Sequence, residues 1–241
     1  EPFLGSGAVF FWVMQNCKIE KACINEFNSE IYLCYFSIQN KVEGLIKQLK
    51  VLEKRYHALS GQDQEEFYYR LRREYNQTRA GINFEEFEVD NYVKRSAMTI
   101  FLNRTCFNGL YRVNSEGGFN VPFGRYKNPT ICDSQNLRAV SRILTGVTIT
   151  NRDFSIIQEQ IKRDSFVYFD PPYRPLSKTS NFTAYSPNEF NDEEQERLSV
   201  IFRRLSRVAN VKIMLSNSDP KNINENDDFF ESLYSGFRIE R

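Results

Sequence analysis

A chain of 241 residues is long enough for one large α/β domain, or two small ones, with a real core. Its 41% hydrophobic and 26% charged residues are ordinary for a soluble globular protein, and no apolar run approaches a membrane span or a signal peptide. The net charge of +1 says little, whereas five cysteines without a CxxC pair and a single histidine, His57, argue against a disulfide framework and all but exclude a zinc site or a Ser/His triad, so reduced thiols in a cytoplasmic protein are the expectation.

The first stretch, Glu1-Pro2-Phe3-Leu4-Gly5-Ser6-Gly7-Ala8-Val9-Phe10-Phe11, reads as the end of a strand, a glycine turn and then a helix. Glycines let a backbone approach a ligand closely, and a helix amino terminus favours electronegative groups. Ala22-Cys23-Ile24 reads as a second strand ending at Asn25-Glu26. That places an acid about twenty residues past the glycines, where a nucleoside ribose is normally held through its hydroxyls. Phe10 replaces the third glycine of the dinucleotide fingerprint, and no G-K-[ST] follows, so an adenosine cofactor without phosphates fits better than NAD or ATP. A tight turn before a helix is the competing reading.

From Ser29 to Gln77 the pattern is helical: Val42, Leu45, Ile46, Leu49 and Leu52 mark one apolar face, and Phe67, Tyr68, Leu71 and Tyr75 continue it. A loop is expected at Gly61-Gln62-Asp63, a polar stretch at Thr78–Asp90 and another helix at Tyr92–Leu102. Between Asn91 and Ile131, Lys94, Arg95, Arg104, Arg112, Arg125 and Lys127 stand against Glu116 alone, which points to a polyanionic partner or to a solvated charged face. Asn103 to Asn114 leads through a hairpin turn at Ser115-Glu116-Gly117-Gly118 into Phe119 to Tyr126. Aromatics, arginines and turn residues alternate there, as in a loop that reads nucleic acid. A β-ribbon packing its aromatics on helices explains the same pattern.

Past Cys132 the pattern is α/β again, with a helix at Leu137–Leu144 and a strand at Val147–Thr150 followed by Asn151-Arg152-Asp153-Phe154. An acid and an aromatic at that strand end suit the amino group and face of a cofactor adenine. Phe166-Val167-Tyr168-Phe169 is too short for a helix and reads as a buried strand ending at Asp170-Pro171-Pro172-Tyr173. The prolines force the chain out of the sheet at the carboxyl end of the strand, where open α/β sheets bind ligands. A carboxylate and a stiff Pro171 carbonyl can accept both hydrogens of a nucleobase amine, and Tyr173 offers a face for stacking. Such a grip would draw the amine toward tetrahedral geometry and free its lone pair. A proline turn with an exposed acid is the rival explanation. Arg174–Phe190 reads as a polar substrate lid, Asp192–Arg207 as an amphipathic helix, Val211–Leu215 as a strand, and the final Phe237–Arg241 as a further strand.

In order and combination these motifs resemble the DNA adenine methyltransferases of the Dam type. The resemblance rests on Glu1 to Gly7, the acid after the second strand, Asn108-Gly109-Leu110-Tyr111-Arg112, Phe119 to Tyr126, the Asp-Pro-Pro-Tyr motif, Pro175-Leu176-Ser177 and Asn181-Phe182-Thr183-Ala184-Tyr185. It implies methyl transfer from S-adenosylmethionine, with S-adenosylhomocysteine as product and no metal, to the 6-amino nitrogen of an adenine flipped out of double-stranded DNA. By this match Asp170, Pro171, Pro172 and Tyr173 are catalytic. Glu1, Pro2, Phe3, Gly5, Gly7, Glu26, Asp153, Phe154 and Asp170 line the cofactor, Glu26 holding its ribose. DNA is met by Arg104, Phe107, Asn108, Leu110, Arg112, Pro122, Arg125 and Tyr126, commonly at GATC. Arg112 would contact the guanine, Leu110 and Pro122 would help discriminate bases, and Phe107 would be the wedge.

The implied fold is a Rossmann-like methyltransferase core from residues 1–30 and 134–241, interrupted at 31–133 by a helical DNA-recognition domain that carries a β-hairpin. A monomer is expected, with no membrane partner, and a cognate restriction endonuclease acting on the same site is a further expectation. The rival functions are a DNA-binding relative without catalysis and an amine methyltransferase acting on RNA or protein. The family pattern has a Lys-Trp-x-Gly-Gly-Lys-like segment before the glycine loop and more chain after the last strand. The sequence is therefore expected to be an excerpt of a longer protein.

Overall fold

The computed structural model describes residues 1–79, 89–175 and 190–241, with helical backbone alone at 89 and 90. Most of the expected lid, including 176–177 and 181–185 of the family motifs, lies outside the described residues. In chain order the helices are α1 (Ala8–Asn16), α2 (Ser29–His57), α3 (Gly61–Gln77), α4 (Val89–Thr105), α5 (Ser134–Leu144), α6 (Ile157–Gln160), α7 (Asp192–Leu205) and α8 (Phe229–Leu233). The strands are β1 (Cys23–Asn25), β2 (Thr148–Thr150), β3 (Phe166–Phe169) and β4 (Lys212–Leu215), so the fold class is mixed α/β. The chain divides into two units, one made of Glu1–Lys18, Cys23–Phe27 and Arg152–Arg241, the other of Ile19–Ala22 and Asn28–Asn151.

In the first unit the chain before the glycines is extended. Its backbone flanks Ile24 in the manner of a parallel ladder: Asn25 N–H donates to the Glu1 carbonyl (2.9 Å) and Leu4 N–H to the Asn25 carbonyl (3.1 Å). Gly7 then starts α1 with φ +68°, and a Cβ there would meet the Phe11 ring at 2.9 Å, so both its backbone and its neighbours require glycine. β3 and β4 pair in parallel, Phe166 opposite Lys212 through Phe169 opposite Leu215. The connection between them runs through α7, the βαβ arrangement that parallel neighbours need. Val167 and Phe169 are buried with Leu198, Ile201, Phe202 and Leu205 of α7, and with Phe154, Phe230 and Tyr234. Three acids in the first turn of α7 and Arg203 and Arg204 in its last turn match the helix dipole.

Residues 238–241 do not form the expected further strand. Their side chains pair as Arg238 with Glu240 and Arg241 with both Asp219 and Glu231.

In the second unit α4 packs along α2, with α3 and α5 against the pair. α2 is kinked at Lys41 (φ −144°). The break before α3 falls at Ala58–Ser60 rather than at Gly61–Asp63, because Ser60 already has the extended backbone of a helix start. Tyr56, Tyr68, Tyr75 and Phe101 fill the centre. Inside it Arg95 forks onto both oxygens of Glu30 and lies 3.6 Å from the centre of the Tyr75 ring. Residues 134–151 group with this unit, since Gln39 of α2 donates to the carbonyls of Leu144 (2.7 Å) and Val147 (2.8 Å).

Residues 106–124 form a loop whose arms meet at two antiparallel bridges, Cys106 with Phe123 and Val113 with Phe119, rather than along a continuous ladder. Side chains of α3 take up much of the backbone a partner strand would have paired. Asn76 bonds both the N–H and the carbonyl of Phe119 (2.9 and 3.0 Å), and Tyr68 and Arg72 donate to the Val121 carbonyl (2.8 and 2.9 Å). At Gly124 a Cβ would fall 2.5 Å from the Cys106 carbonyl oxygen, so only glycine lets the arms approach so closely.

Candidate active site

Strand β3 releases the chain at Asp170, and the turn that follows is held by groups distant in sequence. The Pro172 carbonyl accepts from Nε2 of Gln195 (3.0 Å), a residue of α7 with no exposed surface. Gln195 in turn accepts from Asn217 (3.1 Å), whose own oxygen accepts the Arg174 N–H (3.1 Å). Arg174 is clamped by Asp192 and Asp227 (2.8 Å each) and lies over the Phe229 ring. The corner cannot rotate without breaking this chain of bonds.

What the corner leaves open is specific. Asp170 forms no ion pair, and the Pro171 carbonyl accepts no hydrogen bond, among the described residues, whereas the next carbonyl along is occupied. Tyr173 is 43% exposed. Its hydroxyl lies close enough to the Asp170 carboxylate for the two groups to influence each other's ionisation, while Ser216 Oγ is hydrogen-bonded to the Tyr168 hydroxyl (2.8 Å). Partial desolvation raises the Asp170 carboxyl above its ordinary range, and the Tyr173 hydroxyl offsets part of that rise.

The glycine loop carries the other acids. Glu26 is buried, and its Oε2 accepts the Gly5 N–H (2.8 Å). Burial, with the Asp170 charge adding to it, pushes the Glu1 carboxyl up to about 7. Asn25 ties Pro2 to the segment before Asp153, donating to the carbonyls of Pro2 (3.1 Å) and Arg152 (2.9 Å). Phe3 packs on Phe154 with ring centres 5.2 Å apart.

Asp153 and Phe154 are in place but engaged. Arg197 grips both oxygens of Asp153 (2.9 and 2.7 Å), holding its carboxyl well below the usual carboxylate range, and lies over Phe154, which is only 4% exposed. A ligand amine meets Asp153 only by sharing those oxygens with Arg197.

In the second unit the loop 106–124 gathers several of the expected DNA residues. Phe107 N–H donates to the Pro122 carbonyl (2.8 Å) and Leu110 N–H to the Phe107 carbonyl (3.3 Å), which groups the exposed side chains of Phe107, Leu110 and Pro122. Asn108 makes the turn between them with φ +54°. Arg112 donates through Nε to Asn120 Oδ1 (2.7 Å). Arg125 is exposed, with a long 3.7 Å contact to Glu65, and Arg104 and Tyr126 are exposed as well.

Sequence reasoning missed Gln195, Asn217, Arg197 and Asn120. Gln195 alone had a readable signal, a polar residue in register with Leu198 and Phe202 on the apolar stripe of α7.

A carboxylate, a carbonyl without a hydrogen bond among the described residues and a half-exposed aromatic ring thus stand together at a strand end, a set of groups that could receive a planar amine. The family model for D12 class N6 adenine-specific DNA methyltransferases matches residues 1–241, and the chain belongs to that family of adenine-specific DNA methyltransferases. Type II methyltransferase M.MjaIII of Methanocaldococcus jannaschii is 46% identical over the whole chain and 78% of its own length. Type II methyltransferase M1.LlaDCHI of Lactococcus lactis subsp. cremoris is 38% identical over the whole chain and 76% of its length. The DNA adenine methylase of Haemophilus influenzae is 31% identical over the whole chain and 75% of its length.

Membership implies S-adenosylmethionine as methyl donor, and the acids of the first unit suit it. Burial and the Asp170 charge both disfavour ionisation of Glu1, so a cationic ligand beside these acids would favour its charged form. Among the described residues no cluster of metal ligands occurs and no helix is long and apolar enough to cross a membrane.

Proposed function

We propose that this enzyme methylates the 6-amino nitrogen of an adenine flipped out of double-stranded DNA, within GATC. The observation that carries the reading is the asymmetry of the proline corner, where Gln195 occupies the Pro172 carbonyl and the Pro171 carbonyl, next to Asp170, accepts no hydrogen bond among the described residues. S-adenosylmethionine supplies an electrophilic methyl group when bound. Asp170 and the Pro171 carbonyl accept the two amine hydrogens, so the nitrogen lone pair turns out of conjugation. Tyr173, 43% exposed beside Asp170, stacks on the flipped base. Asp170 Oδ then takes the proton that the methylated amine sheds. Positioning supplies most of the rate, since no covalent enzyme intermediate is needed.

Glu1, Pro2, Phe3, Gly5, Gly7 and Glu26 form the cofactor wall in this reading, with Asp153 and Phe154 behind it. The first unit is a Rossmann-like core, and the helical unit with its hairpin reads the site through Arg104, Phe107, Asn108, Leu110, Arg112, Pro122, Arg125 and Tyr126. Two relatives bear type II methyltransferase names, which supports protection of DNA against a cognate restriction endonuclease as the biological role.

Methyl transfer from labelled S-adenosylmethionine to GATC and scrambled duplexes tests the reading. Wild type labels GATC only, and Asp170→Ala lowers kcat by about a hundredfold or more while still binding GATC. Labelling of both duplexes overturns the site assignment, and full activity of the variant overturns the role of Asp170.

A further inference from the structure

We infer that Asn120 is a positioning residue for base reading, which orients Arg112 so that only the outer edge of its guanidinium meets the DNA. The inference rests on the proposal that Arg112 reads a guanine. Phe119, Val121 and Phe123 turn inward, with Phe119 near Tyr111 and Tyr75 and Phe123 near Tyr68, and the strand-like alternation leaves Asn120 and Pro122 on the other face. Asn120 lies directly across the loop from Arg112, next to the bridge between Val113 and Phe119, and its N–H donates to the Arg112 carbonyl (3.1 Å).

A guanidinium presents two forks, one through Nε and the neighbouring Nη, the other through the two terminal nitrogens. Asn120 takes the first: Arg112 Nε donates to its Oδ1 (2.7 Å) and Nη2 reaches its carbonyl (3.4 Å). The terminal fork makes no further hydrogen bond among the described residues. That fork fits the O6 and N7 acceptors of guanine in the major groove. Arg112 is half-buried, so its stem is already confined, and the Asn120 bond removes the remaining rotation about the guanidinium. Immobilising the fork before contact lowers the ordering cost of recognition and penalises bases that offer no matching acceptors.

The test compares methyl-transfer kcat/KM on GATC duplexes with duplexes whose guanine is replaced by adenine or 7-deazaguanine, for wild type, Arg112→Ala, Asn120→Ala, Asn120→Asp and the double alanine variant. Arg112→Ala is expected to reduce discrimination about 10- to 100-fold. Asn120→Ala is expected to reduce it about 3- to 10-fold with its melting temperature close to wild type, and to add nothing in the Arg112→Ala background. Asn120→Asp keeps the acceptor and restores discrimination, although its charge weakens binding to every duplex. A uniform loss on all duplexes with a shallower salt dependence would make Asn120 a phosphate contact and overturn the inference. Unchanged discrimination in Asn120→Ala while Arg112→Ala relaxes it overturns the clamp alone. Unchanged discrimination in Arg112→Ala overturns the guanine assignment and the clamp with it.

Discussion

Gln195 carries no charge and touches no reacting atom in the proposed chemistry, yet it decides which carbonyl of the proline corner is left available. Its amide bridges Pro172 and Asn217 inside a core that excludes water. Gln195→Leu fills the space and removes the donor, which leaves the half-buried Pro172 carbonyl unpaired. Stability is expected to fall by about 1–3 kcal/mol in urea denaturation. The kcat for methyl transfer should fall while DNA affinity stays as in wild type, because the corner then has two competing acceptors and no fixed orientation. Unchanged kcat with lowered stability would reduce Gln195 to a packing residue.

At the scale of elements, α2, α3 and α4 are held by hydrophobic contacts and by the buried fork of Arg95 on Glu30, with Arg95 also donating to Thr78 (3.0 Å) and resting on Tyr75. Removing one partner strands a charge in the core. Glu30→Ala is expected to cost about 3–5 kcal/mol, and Glu30→Met with Arg95→Met to recover much of it, as read from thermal unfolding. The helices themselves were legible from apolar spacing such as Leu45, Ile46 and Leu49, and β3 from its bounded run of apolar residues. The corner at Asp170 was legible because proline restricts backbone geometry locally. What was not legible was tertiary. That α3 would take up the backbone of Phe119 and Val121 depends on Tyr68, Arg72 and Asn76 lying about fifty residues away, and no periodicity carries that information. The engagement of Asp153 by Arg197 was invisible for the same reason. The expected last strand at 237–241 rested on local propensity alone, whereas a strand also needs a backbone partner, which the local sequence does not specify.

Across the molecule, charge is divided between the units. The first holds Glu1 and Asp170 in one site, and the second bears the exposed Arg104 and Arg125. With its carboxyl at about 7, Glu1 keeps a proton in the folded apo protein that the unfolded chain releases near the ordinary 4.5. This group's contribution to stability therefore declines as pH rises from about 4.5 to 7. A cationic cofactor prefers the ionised carboxylate, so its affinity is expected to rise up to about tenfold between pH 6 and 8, with proton release, and to lose that dependence in Glu1→Gln. Calorimetric titration in buffers of different ionisation enthalpy measures both effects, and a flat wild-type profile would remove Glu1 from the cofactor wall. The alternation from Phe119 to Phe123 sets a further condition on how such an enzyme diversifies. Inward residues are anchored by the core, so adding or losing one residue in that arm would swap the buried and displayed sets. A changed target preference is therefore expected from exchanging side chains at fixed positions of the arm, and loss of folding from changing its length.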